Sequence, residues 1–319
     1  MTLTRYSTHA GLIGMAALWG ASWPWGRTVA QSMPPLTAAC VRFLMASVVL
    51  LLWLWQRQGL GSLRRLTPRQ WVGLSGAAFA GVLGYSTCFL LALQTLPAGK
   101  AVIVVALNPV VTLAFAVLLF RERINWIMGI GVVMAVAGAT YTLSGGSLAA
   151  LLPGGAGMGE LLVLGCVLCW VLYTLIGRVV LTSLDSLTTT TLTAILGAGF
   201  LLVASLMFEG ISAWTGLVHA PANAWYSVAA LAFGGTTLAY AWYLHGVKVL
   251  GAGSAAAYIA LVPVFGVLSS NLWLNEPLSA ALVVGGLLAI GGMAVMHWGR
   301  QALEGSAGVS TASAPGRRH

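Results

Sequence analysis

Ten stretches of this chain run for about twenty residues each with almost no charge, the length a helix needs to cross the hydrocarbon core of a bilayer. They cover 10–30, 36–55, 71–93, 98–120, 124–143, 157–180, 187–208, 223–246, 252–274 and 278–298. The runs are continuously apolar and never alternate with period two, so they predict helices and not the strands of a barrel. Composition agrees: 59% of the 319 residues are hydrophobic and only 7% are charged, against about a quarter charged in a soluble domain. So little charge cannot clothe a water-facing surface of this size. The expected fold class is an all-α integral membrane protein of ten transmembrane helices, with the lipid bilayer as its first partner.

The net charge of +9 does not indicate nucleic acid, because the basic residues sit in short loops and form no stripe interleaved with aromatics. Their distribution predicts orientation instead. With the N-terminus cytoplasmic, Arg5, Arg57, Arg64, Arg65, Arg69, Arg121, Arg123, Arg178, Lys248, Arg300, Arg317 and Arg318 are cytoplasmic, and only Arg27 and Lys100 lie outside. Both termini are therefore expected in the cytoplasm. The run after Arg5 ends without a small-residue cleavage site and reads as a retained helix. Pro153-Gly154-Gly155 divides the chain, and 299–319, rich in Ser, Ala and Gly, reads as a disordered cytoplasmic tail. Cys40, Cys88, Cys166 and Cys169 all fall in apolar runs; Cys166 and Cys169 share a CxxC spacing, but no second Cys or His pair joins them to form a metal site. No metal or cofactor is expected.

The chain repeats itself. Sliding residues 96–138 by 154 positions gives 13 identities in 43 positions, where this composition yields on the order of four by chance. They include Pro109 with Pro263, Glu122 with Glu276, Gly131 with Gly285 and Gly138 with Gly292. A shift of 151 matches Trp19 with Trp170 and Arg27 with Arg178. Each half, 10–143 and 157–298, then holds five helices, and an odd number makes the second copy enter the membrane from the opposite side. The expected architecture is two inverted five-helix repeats.

Leu18-Trp19-Gly20-Ala21-Ser22-Trp23, Pro35 through Val41-Arg42-Phe43, the stretch from Ala92 to Gly138 with Asn108-Pro109 in mid-helix and Arg121-Glu122-Arg123 at the next turn, and their partial doubling in Val262-Pro263 and Asn275-Glu276-Pro277 together resemble the EamA-type family of the drug/metabolite transporter superfamily. The resemblance covers about 10–298. It implies ten helices around a central cavity lined chiefly by helices 1, 3, 4, 6, 8 and 9. It also implies export of amino acids, related metabolites or toxic compounds across the bacterial inner membrane. Nothing in the second half matches Arg42.

Side chains that are polar or aromatic inside a membrane are costly unless they meet partners or a wet cavity. Trp19, Ser22 and Trp23 share one helical face, and Trp170, Tyr173 and Thr174 share the equivalent face; these line a cavity or form an interfacial belt. Pro109 and Pro263 interrupt their helices and are expected to free the carbonyls of Val105 and Ile259. Asn108 and Tyr258 lie beside those breaks, and Tyr85, Thr236, Thr237 and Tyr240 are further candidates. Arg42 reads as a structural pairing residue, with neutralisation of a substrate carboxylate as the second reading. Glu122 and Glu276 read as caps of the helices that follow them. Small residues such as Gly73, Ala77 and Gly81, or Gly131, Ala135 and Ala139, mark close helix packing and one such face is open to homodimerisation. Five histidines at 9, 219, 245, 297 and 319 form no catalytic constellation, so the expectation is a secondary transporter for a small-molecule substrate and not an enzyme. A passive channel or facilitator is the alternative, although no charged ring or filter sequence stands out.

Overall fold

The computed structural model describes residues 2–59, 61, 66–122, 124–147, 157–180 and 184–312, and among them the regular structure is entirely helical. Arg64, Arg65, Arg123, Pro153, Arg317 and Arg318 lie outside the described residues. The long helical stretches are α1 (Thr2–Ser32), α2 (Pro35–Gln58), α3 (Pro68–Thr95), α4 (Ala98–Phe120) and α5 (Trp126–Leu143). After them come α6 (Met158–Val180), α7 (Ser186–Phe208), α8 (222–250), α9 (252–274) and α10 (Ala280–Ala312). A short helix, Gly210–Gly216, and a 3-10 turn connect α7 to α8.

Seven of these stretches are long and apolar enough to cross a membrane, and 258–274 adds a shorter apolar helix. Besides α9, of which 258–274 is that shorter helix, the stretches that fall short are α1 and α8, in which Trp, Gly, Ser, Thr and His dilute the aliphatic residues. They are also the stretches that carry much of the candidate site. Outward faces are apolar throughout: Val72, Leu118, Val133, Phe208, Leu272 and Leu287 are all exposed, as the chain of a multi-pass membrane protein requires. The last helix runs to Ala312, so residues 300–312 are helical where the sequence suggested a disordered tail. Gln301, Ala302 and Leu303 are strong helix formers that extend the apolar run. Residues 313–319 lie outside the described residues.

Helix partners follow a reciprocal pattern. α1 packs on α8 and α9, while α6 packs on α3 and α4; α2 lies on α7, and α5 lies on α10. The α5–α10 seam is the closest, because glycines let the backbones meet. Gly131 abuts the Gly292 carbonyl and Met296, and Gly138 abuts the Gly285 carbonyl and Ala289. The duplicated glycines thus face each other crosswise.

Two turns have the same backbone geometry 154 residues apart. Arg121 (φ 54°) and Asn275 (φ 53°) are the positive-φ residues other than glycine among the described residues. In each case the left-handed residue and the one after it both bond one carbonyl, Arg121 N and Glu122 N to Ala116 O, Asn275 N and Glu276 N to Ser270 O, which closes a widened helix end. The turn aims each glutamate away from the helix that follows it. Asn125 Oδ1 caps α5 by accepting from Met128 N (2.9 Å), and Ser279 Oγ accepts from Leu282 N at the start of α10 (3.2 Å). The expectation that Glu122 and Glu276 cap those helices is therefore corrected: the cap position falls on the residue next to the helix, and both glutamates lie upstream of it.

Glu276 instead caps α4. It accepts from Ala98 N (2.8 Å) and Gly99 N (2.9 Å) and pairs with Arg27 of α1 at 3.0 Å. At the opposite end Glu122 pairs with Arg178 of α6, with Arg300 3.7 Å away. Arg178 also stacks over Phe120, 4.4 Å from the ring centre. The repeat-equivalent residues have exchanged partners: the arginine of each half holds the glutamate of the other. Glu209 caps α2 through Leu36 N, Thr37 N and the Thr37 hydroxyl, and Asp185 caps α7 through Leu187 N and Thr188 N. Carboxylates therefore sit at helix N-termini, where unpaired amides and the helix dipole favour them.

Two stability tests follow. A valine at Gly138 must displace backbone atoms of α10, so Gly138→Val is expected to destabilise by about 1–3 kcal/mol in thermal unfolding of the detergent-solubilised protein. Gly129→Val, with open space around it, is expected to change stability by less than about 0.5 kcal/mol. Glu276→Ala strands Arg27 and two amides in a part-buried setting, an expected loss of about 2–3 kcal/mol. Glu122→Ala faces an arginine side chain 48% exposed and is expected to cost less than about 1 kcal/mol. Equal losses for the two glutamates would refute this account of the ends.

Candidate functional site

Two of the helices that supply the aromatic centre, α3 and α8, depart from regular α geometry. Residues Phe79–Gly84 of α3 and Ala230–Leu238 of α8 are π-helical, a form rare in general and frequent at functional sites. In α8 the Thr236 and Thr237 hydroxyls donate to Leu231 O (2.9 Å) and Ala232 O (3.0 Å), five residues back. The glycines on this face admit α1: Trp19 Nε1 donates to Gly235 O at 2.9 Å, and the Ser22 hydroxyl, bonded to Leu18 O at 2.8 Å, occupies the space beside Gly235.

From there two aromatic groups build inward. In one, Trp19 meets Tyr240 edge-on with 5.4 Å between ring centres and lies 5.7 Å from Tyr243. In the other, Trp170 stands 5.9 Å from Tyr85 and 5.8 Å from Tyr173. The Tyr85 ring stacks on Phe89 at 6.0 Å, and Phe89 meets Trp23 edge-on at 5.0 Å. Trp19 with Tyr240 and Trp170 with Tyr85 are the same pairing made twice, each between the first helix of one half and the third of the other.

Arg42 joins the two groups. Its Nε and Nη2 donate to Thr236 Oγ1 at 3.3 and 3.1 Å, and its guanidinium lies over Phe43, 5.0 Å from the ring centre. Tyr240 follows Thr236 by four residues on α8, and Tyr243 follows by three more.

Other candidates fall elsewhere. Trp23 is 3% exposed and packed in the core against Phe89, so its place is that of a packing residue. Thr174 faces outward and bonds Trp170 O. Tyr258 lies in the 3-10 turn ahead of Pro263, where its hydroxyl meets His9 Nδ1. Both line a pocket of about 510 Å³ with Ser254 and Gln301, toward the end of the bundle where α10 leaves it. Pro263 does not free the Ile259 carbonyl as expected, because the 3-10 turn lets Val262 N bond it. Around Pro109 the chain also tightens, with Ala106 N and Leu107 N reaching back three residues. Asn108 Oδ1 at that break is buried without a hydrogen-bond partner. Cys166 and Cys169 pack against α3, Cys166 Sγ 3.8 Å from Tyr85 O and Cys169 beside Gly84.

Sequence reading passed over Tyr243 and Phe89. Tyr243 is three residues from Tyr240 on the same helical face, which was the available signal. Phe89 lies four residues from Tyr85 and is detectable the same way.

The profile of the EamA-like transporter family matches residues 7–144 and again 157–298. The uncharacterized transporter YyaM of Bacillus subtilis is 26% identical over 282 residues, covering 88% of this chain and 90% of that one. The uncharacterized inner membrane transporter YedA of Escherichia coli K12 is 28% identical over 272 residues, covering 84% and 83%. A crystal structure with 22% sequence identity aligns over 93% of this chain and 99% of its own with a TM-score of 0.61, a likeness of fold. Matched over almost its whole length, the chain belongs to the EamA-like transporter family.

Proposed function

We propose that the protein is a secondary transporter that exports small amphipathic solutes, such as amino acids, related metabolites or drugs, across the bacterial inner membrane by alternating access. The exchange of partners between Arg27–Glu276 and Arg178–Glu122 carries this reading. Each ion pair ties one half of the chain to the other, and they do so at opposite ends of the bundle. In two inverted five-helix repeats with both termini cytoplasmic, the first pair closes the outer end and the second the inner end. Two halves that swap conformations would break one latch while keeping the other, which exposes the centre to one side at a time.

The crosswise glycines of α5 and α10, the matching turns at Arg121 and Asn275 and the twofold Trp–Tyr pairing support the repeat arrangement. The aromatic centre around Trp19, Tyr240, Tyr85, Trp170 and Tyr173 supplies apolar walls with hydroxyl groups, the surface an amphipathic solute needs. Both latches are made together in this structure, as in a state closed at both ends.

Counterflow from proteoliposomes tests the carrier reading: saturable uptake of labelled solute driven by unlabelled solute inside is expected, whereas a conductance that rises linearly with concentration would mean a channel. The latches are tested in a variant lacking Cys40, Cys88, Cys166 and Cys169, with one cysteine placed at position 240. Glu122→Ala is expected to raise labelling by a membrane-impermeant thiol reagent several-fold from the cytoplasmic side, and Glu276→Ala from the outer side. The same change in access from both sides for either variant would sink the latch assignment.

A further inference from the structure

Arg42 stands inside the bundle with a positive charge that meets no counter-charge among the described residues. The chain has six acidic residues; the side chain of Glu304 lies outside the described residues, and the other five lie at helix ends. Glu122 and Glu276 hold arginines, Glu209 caps α2, Asp185 caps α7 and Glu160 lies in the first turn of α6. Among the described residues no ion pair reaches Arg42, and the acceptor it uses is one neutral hydroxyl, Thr236 Oγ1, shared between Nε and Nη2. A guanidinium carries five N–H donors in a planar fork. The other three are left over from that contact.

A charge held at membrane depth with so little compensation is costly and marks a functional site. A structural role would give Arg42 a carboxylate or a set of carbonyls, as Arg27 and Arg178 have. The local backbone also keeps the fork in place: the π-helical segment of α8 sets Thr236 against Leu231 O, leaving its oxygen to receive Arg42, and the Phe43 ring steadies the guanidinium face. Thr236 precedes Tyr240 by four residues on α8, so the contact brings the guanidinium to the helix that carries one of the aromatic walls.

We infer that Arg42 is the anion-recognition residue of the central site, and that the protein takes amphipathic carboxylates, seating the carboxylate on the Arg42 fork and the apolar body against the Trp19–Tyr240 and Tyr85–Trp170 walls. The inference rests on the transporter reading for its use but not for its test, since binding is measured without turnover. Fork-to-carboxylate pairing is bidentate and planar, so a primary amide of the same shape is a poor substitute, and lysine, a point charge, is an incomplete one.

The test measures thermal stabilisation of the detergent-solubilised protein by phenylacetate, indole-3-acetate and phenylalanine, each beside its primary amide, together with proteoliposome counterflow of the same six compounds. At least one carboxylate is expected to bind about tenfold or more tightly than its amide. Arg42→Gln is expected to weaken the acid far more than its amide, so that the tenfold difference disappears, and Arg42→Lys retains part of it. Thr236→Val, which leaves the charge in place, weakens carboxylate binding less than Arg42→Gln and serves as the reference should Arg42→Gln fold poorly. Carboxylate binding without counterflow supports the site and removes the carrier reading. Counterflow with no carboxylate preference overturns the inference and leaves the carrier. The inference is also overturned if no compound binds, or if Arg42→Gln weakens acids and amides alike.

Discussion

A peptide group in hydrocarbon has no water to bond, so each amide and carbonyl must find a partner inside the protein. Most of the structure follows from that constraint. It makes the described chain helical throughout, and it explains where the polar side chains went. Wherever a helix starts or is distorted, a side chain or a tightened turn takes up the loose backbone groups. Glu209 covers the start of α2, Glu276 that of α4 and Asp185 that of α7. Thr236 and Thr237 bond across the π-helical segment of α8, and a 3-10 turn takes up the Ile259 carbonyl that Pro263 cannot bond.

The same constraint turns a handful of acidic residues into the connectors of the bundle. A glutamate that satisfies two amides of another helix and also holds an arginine of a third fixes three elements at once, as Glu276 does with α4, α1 and the end of α9. Its counterpart Glu122 makes fewer bonds and faces a more exposed arginine. The two ends are alike in plan but unequal in strength, and a bundle clamped more firmly at one end has a preferred resting state.

Much of this plan was legible in the chain. Membrane length and continuous hydrophobicity announced the helices, since a bilayer imposes one length on every crossing. Duplicated glycines and prolines announced the reciprocal packing, because they act through the backbone and their effect is local. What a glutamate binds across the bundle is not local, so Glu122 and Glu276 were read as caps of the wrong helices. Tyr258 was read as a site candidate by its place beside a proline break, yet in the 3-10 turn its hydroxyl meets His9. Trp23 shares a helical face with Trp19 by spacing, but Phe89 and the packing of α1 on α3 bury it. The π-helical segments left only a faint trace in Gly-Gly-Thr-Thr at 234–237. Arg42 was visible as an oddity, while the absence of a carboxylate beside it required the positions of the acidic residues in space.

Arg42 also breaks the twofold pattern that organises everything around it. Tyr85 and Tyr240, or Trp170 and Trp19, offer the same surface from either half, so by themselves they give a bound molecule two equivalent orientations. A single guanidinium, carried by α2 of one half and held by Thr236 of the other, removes that equivalence. A solute with one charged end then has one favoured orientation. Because the charge bridges helices from both halves, it stays at the seam about which they are proposed to move. On the proposed reading, symmetry supplies the two gates and a residue present once, Arg42, supplies the recognition.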